Sequence, residues 1–254
     1  MTTAVITGAT SGIGEATARK FAANGINLVL TGRREERLSA LTEELSGKVK
    51  VTTLAFDVRD RDAVFAAIDS LSSDVKNDIS ILVNNAGNAH GLANFKDADL
   101  DDFDAMIDIN VKGLLYVSKA VLPILLKNKT PHIVNIASIA GKQVYPNGNI
   151  YNASKFAVDA ISQAMRIDLL DDGVKVTNIA PGLVETEFSL VRFKGDKEKA
   201  DAVYADIEAL TAADVADSIY YAVSAPEHVQ IADVLILPKA QASARDYKRD
   251  KRDK

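Results

Sequence analysis

Short apolar, β-branched runs alternate with longer segments of helical spacing along most of this chain. The runs Ala4–Thr7, Asn27–Thr31, Val49–Phe56, Ile79–Val83, His132–Ala137, Lys175–Ile179 and Val234–Leu237 read as strands. Most are continuously apolar and not alternating, the pattern of parallel strands covered on both faces. Between them lie segments of helix length: Gly14–Asn24, Glu35–Leu45, Asp60–Leu71, Asp101–Asn128 and Tyr151–Leu170. Strand–helix–strand repetition with right-handed crossovers predicts an α/β fold, a Rossmann-type doubly wound parallel sheet of about seven strands with helices on both faces. No linker rich in Pro, Gly or Ser divides the chain, so residues 1–240 are expected to form a single domain.

Two stretches break the rhythm. Residues 183–210, following Pro181-Gly182, mix polar, charged and aromatic side chains and are expected to be a mobile or substrate-covering segment. The last ten residues carry six basic and three acidic side chains, so residues 241–254 are expected to be a solvated, flexible tail.

Composition removes several function classes. With 254 residues, 47% hydrophobic and 26% charged, the chain is an ordinary globular protein able to bury a sizeable core. The absence of cysteine rules out disulfides, thiol nucleophiles and thiolate metal sites. His90, His132 and His228 are too scattered to suggest a metal site or a histidine-dependent triad, and no metal is expected. A formal charge of −5 gives no footprint for nucleic acid. No run approaches the roughly 18 apolar residues of a membrane span. The first residues read as a core strand and not as a signal peptide, which points to the cytoplasm.

The first strand runs into Gly8-Ala9-Thr10-Ser11-Gly12-Ile13-Gly14, after which a helix begins. Glycines there permit a tight turn and close backbone approach to a pyrophosphate, which the helix N-terminus then faces. The second strand ends Leu30-Thr31-Gly32-Arg33-Arg34. An acid near this point would hold the ribose 2′-hydroxyl of NAD; two guanidinium forks suit a 2′-phosphate instead, favouring NADP. An exposed basic pair balancing Glu35 and Glu36 is the plainer alternative.

Tyr151 and Lys155 stand four apart in Tyr-Asn-Ala-Ser-Lys and so share one face of a helix. An adjacent ammonium would stabilise a phenolate, allowing Tyr151 to exchange a proton with an alcohol or carbonyl oxygen near neutrality. The spacing alone proves little, since Tyr247 and Lys251 repeat it in the tail.

Context adds to it. Asn84-Asn85-Ala86-Gly87 follows the fourth strand, Asn110 lies in the next helical stretch and Ser138 ends the fifth strand. With Thr-Gly-x-x-x-Gly-x-Gly at 7–14, Tyr-x-x-x-Lys at 151–155 and Pro181-Gly182, the chain resembles a short-chain dehydrogenase/reductase from about residue 3 to about 238. The resemblance implies that Tyr151 is the general acid/base, that Ser138 hydrogen-bonds the reacting oxygen, and that Lys155 binds the nicotinamide ribose and lowers the tyrosine pKa. It implies that Asn110 supports a water-linked proton relay, that Asp57-Val58 contacts adenine and that Asn85 contacts the cofactor. Gly8, Thr10, Ser11, Gly12, Ile13, Gly14, Pro181, Gly182, Val184 and Thr186 join Arg33 and Arg34 as expected cofactor-binding residues. Each role has a structural alternative: Ser138 could cap a turn, Asn110 could fix a helix kink and Asp57 could cap the following helix.

A narrower likeness is carried by Thr31-Gly32-Arg33-Arg34-Glu35-Glu36-Arg37-Leu38, by Pro181-Gly182-Leu183-Val184, and by Val191-Arg192-Phe193-Lys194-Gly195-Asp196. These strings resemble the NADP-dependent 3-hydroxy acid dehydrogenases, which act on serine, allo-threonine and 3-hydroxypropionate-type substrates. Two departures border the substrate cavity: Glu185 stands where a glycine pair is expected before Thr186, and Asn88-Ala89-His90 is unusually polar. The expected activity is hydride transfer between NADP(H) and a small 3-hydroxy acid or its 3-oxo acid. The alternatives are reduction of other ketones, including β-ketoacyl thioesters, and a non-catalytic cofactor sensor. Arg192 is the expected carboxylate ligand; the alternatives are a surface pairing with Glu185, Glu187 or Asp196, or a contact with the cofactor or another subunit. The resemblance also implies a homotetramer, with the helices at 101–128 and 151–170 packing between subunits.

Overall fold

The computed structural model describes residues 2–249. Its elements run β1 (Thr3–Ile6), α1 (Gly12–Ala23), β2 (Asn27–Gly32), α2 (Glu35–Leu45), β3 (Val51–Ala55), α3 (Arg61–Asp69), α4 (Ser73–Asp78) and β4 (Ile79–Asn84). They continue with α5 (Leu100–Ile107), α6 (Leu114–Leu125), β5 (His132–Ile136), α7 (Asn149–Asp168), β6 (Lys175–Pro181), α8 (Phe188–Arg192), α9 (Lys197–Tyr204), α10 (Ala212–Ser224) and β7 (Asp233–Ile236). Among the described residues the strands form one seven-stranded sheet in the order β3-β2-β1-β4-β5-β6-β7. Every pairing is parallel.

Because the strands are parallel, all their C-terminal ends open on one edge of the sheet. The connection reverses direction between β1 and β4, so the crevice where ligands bind lies beyond those two ends. The single-residue alternation of β1 builds two cores. Ala4 and Ile6 face one side with Phe21, Leu38, Leu41 and Ile219, from α1, α2 and α10. Val5 faces the other with Val64, Ile68, Val117 and Val121, from α3 and α6. The edge strands β3 and β7 are only partly buried, whereas the inner strands are buried along all or nearly all of their length.

Local chemistry sets the helix starts. Asp60 Oδ1 accepts from the Ala63 amide at the head of α3, and Thr211 and Asp214 form a reciprocal capping box on α10. The sequence suggested one helix over 101–128, but a π-helical turn at Asp108–Gly113 divides it into α5 and α6. Gly113 closes that turn against the preceding β3–α3 loop, where an added Cβ would lie 2.7 Å from Val58 Cγ2. Helix α7 begins two residues earlier than the periodicity suggested, at Asn149.

The first residues of the C-terminal tail are packed, unlike the solvated segment expected. Gln241 is buried, its Oε1 accepting from the Leu183 amide at 2.8 Å. An added Cβ on Gly182 would lie 2.2 Å from that same oxygen, so the glycine makes room for the tail. The rest of the expected tail, residues 250–254, lies outside the described residues.

Candidate active site

The turn after β1 is held from the β4 side. Thr7 Oγ1 accepts from the amides of Asn85 and Ala86 at 3.0 and 2.9 Å, and Asn85 Nδ2 donates to Thr7 O at 2.9 Å. Gly8 has φ +65°, a region L side chains rarely adopt, and a Cβ on Gly14 would sit 2.4 Å from Gly8 O. The turn therefore has to be glycine for steric reasons, and its bare backbone faces a cavity of about 830 Å³. The cavity runs from Arg33 and Arg34 past Gly8, Thr10, Ser11, Gly12 and Ile13 to Ser138, Tyr151, Lys155 and Arg192. Its wall includes Asp57, Val58, Asn85, Pro181, Gly182, Val184 and Thr186 as well. Of the sequence-nominated residues, Gly14 and Asn110 lie behind the wall as its supports.

At the Arg33–Arg34 end of the cavity the two arginines do different work. Arg34 is committed to the turn: Nε donates to Thr10 Oγ1 at 3.1 Å and Nη2 to Ser11 Oγ at 2.8 Å. Its Nη1 donates to Glu187 Oε2 at 3.0 Å, and Arg37 Nη1 donates to Glu187 Oε1 at 2.9 Å. Arg33 is 63% exposed and makes only a 3.5 Å contact with Asp57 Oδ2, so it is the freer fork. Burial pushes the Asp57 carboxyl up, but hydrogen bonds from Arg59 outweigh it and hold the group below its ordinary range. Among the described residues there is no cluster of His, Cys, Asp or Glu suited to a metal ion.

At the other end α7 presents Tyr151 and Lys155 from one face, both buried. Lys155 Nζ donates to the Ile136 carbonyl at 2.9 Å, tying the helix to the end of β5. A Cβ on Gly141 would meet Lys155 O at 2.4 Å, so that glycine lets the turn carrying Ser138 press against α7. Ser138 does cap this turn, accepting from the Ala140 amide at 3.1 Å, while also lining the cavity. Asn110, in the π turn, accepts from Asn88 N at 2.8 Å through Oδ1 and donates to Asn88 O and Ser154 Oγ through Nδ2. It clamps the Asn85–Asn88 loop to α7, and a π turn is a frequent way to re-aim a side chain at a functional site.

A dinucleotide fits this arrangement: a bare glycine turn opposite a helix N-terminus, a cationic end for phosphate, and a buried Tyr–Lys pair across the switch point. The family model described as short chain dehydrogenase matches residues 2–197. The chain belongs to the short-chain dehydrogenase family. It is 48% identical over 239 residues to sulfoacetaldehyde reductase 2 of Chromohalobacter salexigens, covering 94% of each chain. It is 45% identical over 241 residues to the NADP-dependent 3-hydroxy acid dehydrogenase YdfG of Salmonella typhi, covering 94% of this chain and 96% of that one. Its fold matches the closed form of serine dehydrogenase complexed with NADP+, with a TM-score of 0.91 and 42% identity over 98% of this chain and 100% of that one.

In this short-chain dehydrogenase burial governs the titration of the central pair. It pushes the Tyr151 phenol up to about 12, with Tyr145 adding to the rise and Arg192 and a Ser138 hydrogen bond opposing it. Burial also brings the Lys155 ammonium down to about 8. The resemblance implied that Lys155 lowers the tyrosine; in the protein alone the cation facing the ring is Arg192. Its guanidinium lies over the rings of Tyr151, Phe188 and Tyr145 at 4.8, 5.4 and 5.9 Å, and Nη2 donates to the Tyr145 hydroxyl at 2.6 Å. Arg192 Nε is buried without a hydrogen-bond partner. Two of the three acidic partners considered for Arg192 are engaged elsewhere: Glu187 with Arg34 and Arg37, and Asp196 with Lys199. Glu185, the residue replacing the expected glycine pair, ties its amide to Leu210 O at 2.8 Å.

Sequence reasoning did not nominate Arg37, Tyr145, Ser154 or Gly141. Arg37 had a signal, because it falls three residues after Arg34 at a helix start and so shares its face. Tyr145 sits in a loop without periodicity, and nothing local marks it.

Proposed function

We propose that this short-chain dehydrogenase uses NADP(H) to interconvert a short alcohol and its carbonyl compound, where a fixed anionic group sits one carbon away from the reacting carbon. The observation that carries the reading is Arg192, a half-buried arginine beside Tyr151 whose Nε–H is itself buried and unpaired. A buried donor without a partner costs about 1–3 kcal/mol, which a substrate anion would relieve. In 3-oxo acids a carboxylate occupies that position, and in sulfoacetaldehyde a sulfonate does. The relatives named for both substrates are therefore alike in the feature that Arg192 recognises.

The cofactor reading is supported by the opposite end of the cleft, where Arg33 offers a free fork for a 2′-phosphate, Arg34 and Arg37 add positive charge, and β2 ends without an acidic residue. Bound NADP(H) supplies or accepts the hydride. The chain's own residues do the rest. Arg192 fixes the anion and so the direction of the carbonyl. Ser138 donates a hydrogen bond to the reacting oxygen, and Tyr151 passes its hydroxyl proton to that oxygen or takes it back. Lys155, anchored by Ile136 O, holds the ribose beside the tyrosine, and Asn110 fixes the backbone between them.

No helix of the described residues is long and apolar enough to cross a membrane, and a cytoplasmic enzyme is the reading adopted. Ile167 and Leu170 at the end of α7 and Leu100 on α5 are more than 70% exposed, which suits burial between subunits of a homotetramer.

The test is a panel with NADP+ and NAD+ in parallel: L-serine, L-allo-threonine, 3-hydroxypropionate, 2-hydroxyethanesulfonate and uncharged alcohols of matching size. Higher kcat/KM for the anionic alcohols by about tenfold or more is expected. Equal or better use of uncharged alcohols, or of β-ketoacyl thioesters in reverse, would reject the assignment.

A further inference from the structure

The covering segment is tied down at both ends, and Arg192 lies between the ties. At the far end Lys194 Nζ pairs with Asp102 Oδ1 on α5 at 2.9 Å, and the Arg192 carbonyl accepts from the Gly91 amide at 2.9 Å. At the near end Thr186 lies on the glycine turn, its Cβ 3.3 Å from where a Cβ on Gly12 would be. The next residue, Glu187, reaches across Thr10 and Ser11 to the arginines of the β2–α2 corner.

An isolated exposed ion pair would contribute little. This one is different in geometry. One carboxylate is shared by two guanidinium groups, and Arg34 is already immobilised by Thr10 Oγ1 and Ser11 Oγ, so little side-chain freedom is lost in meeting it. Charge also decides between competition and cooperation. Within the contacting set Arg33, Arg34, Arg37 and Arg59 bring four positive charges and Glu187 and Asp57 two negative, which leaves two for a phosphate monoester carrying about −1.5 to −2. Carboxylates and 2′-phosphate together balance the cluster, and neither has to displace the other.

We propose that Glu187 is a positioning residue that acts through Arg34 and Arg37: it straps the covering segment to the corner that reads the 2′-phosphate, and thereby slows cofactor release and holds Arg192 in place. This rests on reading the cleft as an NADP(H) site. The strap makes the adenine end of the cleft and the substrate end, separated by the whole glycine turn, parts of one closure.

The test uses the full-length protein and three variants, Glu187→Gln, Glu187→Asp and Arg37→Met. Stopped-flow displacement gives the NADPH dissociation rate, and limited trypsin digestion of cofactor-free protein gives the cleavage rate at Arg192, Lys194, Lys197 and Lys199. Glu187→Gln keeps the shape and removes the charge, so NADPH should leave about five- to twentyfold faster and cleavage should accelerate several-fold. Glu187→Asp should recover part of both effects. Glu187→Gln in an Arg37→Met background should add less than it does alone, since both act on one contact. An unchanged or slower NADPH release in Glu187→Gln, or an unchanged cleavage rate, overturns the strap. Failure of the wild-type protein to bind NADPH would overturn the cofactor reading itself, a distinct result.

Discussion

The guanidinium carbon of Arg192 lies 4.8 Å from the centre of the Tyr151 ring, on the segment that covers the cleft. The residue assigned to substrate recognition thus touches the residue assigned to proton transfer. Arg192→Met keeps much of the apolar stem over Tyr151 and Phe188 but removes the fork. For anionic alcohols kcat/KM should fall by roughly 10²-fold, about 3 kcal/mol of transition-state stabilisation. For an uncharged alcohol the change should be under about tenfold. Parallel losses on both substrates would mean that Arg192 holds the wall together and does not read the anion.

Tyr151→Phe leaves the ring against Phe188, 5.6 Å between centroids, and removes only the hydroxyl. Positioned acid–base groups contribute about 10²–10⁴-fold. Turnover should fall within that range or further while NADPH affinity, measured by fluorescence titration, stays within about threefold. Lys155→Ala should damage both, because it also releases α7 from Ile136 O. Substantial turnover by Tyr151→Phe across the pH range would remove the tyrosine from the proton path.

Cofactor choice should depend on Arg33 more than on Arg34 at the level of direct contact, because Arg34 spends its donors on Thr10, Ser11 and Glu187. Arg33→Asp replaces a free fork with a charge that repels a 2′-phosphate. A fall in kcat/KM of about 10²-fold with NADP+ and much less with NAD+ is the expected outcome of steady-state assays. Equal losses would show that Arg33 does not meet the phosphate.

The parts of this molecule legible in the sequence were those where a local rule has one solution. Continuous apolar runs gave the buried strands of a parallel sheet, and glycines at a β–α junction gave the turn, because Gly8 and Gly14 have no room for a Cβ. Tyr151, Lys155 and Ser138 belong to an ordered motif set, and the fold brings them to the wall of one cavity. What stayed hidden depends on contacts between distant segments. Glu187 meets Arg34 and Arg37 from 150 residues or more away, and no spacing announces that pairing. The division of the 101–128 helix arises where Gly113 packs on Val58, a tertiary event that helical periodicity does not encode. The tail's first residues were read from charge alone, which gave no sign that Gln241 would be buried beside Gly182.

Stability should respond to acid through a histidine far from the chemistry. His132, at the start of β5, is buried with Nε2 2.8 Å from Thr177 Oγ1. Thr177 already donates its hydroxyl proton to Ile231 O at 2.6 Å, so its oxygen accepts and the imidazole is the Nε2–H tautomer. Nδ1 has no partner, and protonating it would bury a charge and an unpaired N–H together. Burial, aided by Lys175, accordingly brings the imidazole pKa down to about 3. Between that value and about 6.5 the unfolded chain binds a proton that the native protein refuses. Native stability must therefore fall as the pH drops through 6.5, by up to about 1.4 kcal/mol per pH unit from this group. Carboxylates also titrate on the way, so the informative quantity is a difference. Urea unfolding of the wild type and His132→Gln from pH 7.5 to 5 should show the wild type losing stability faster below 6.5, with glutamine keeping a donor toward Thr177. A gap between the two proteins that stays constant over the whole range would show that His132 titrates alike folded and unfolded, and the acid response would have to be assigned elsewhere.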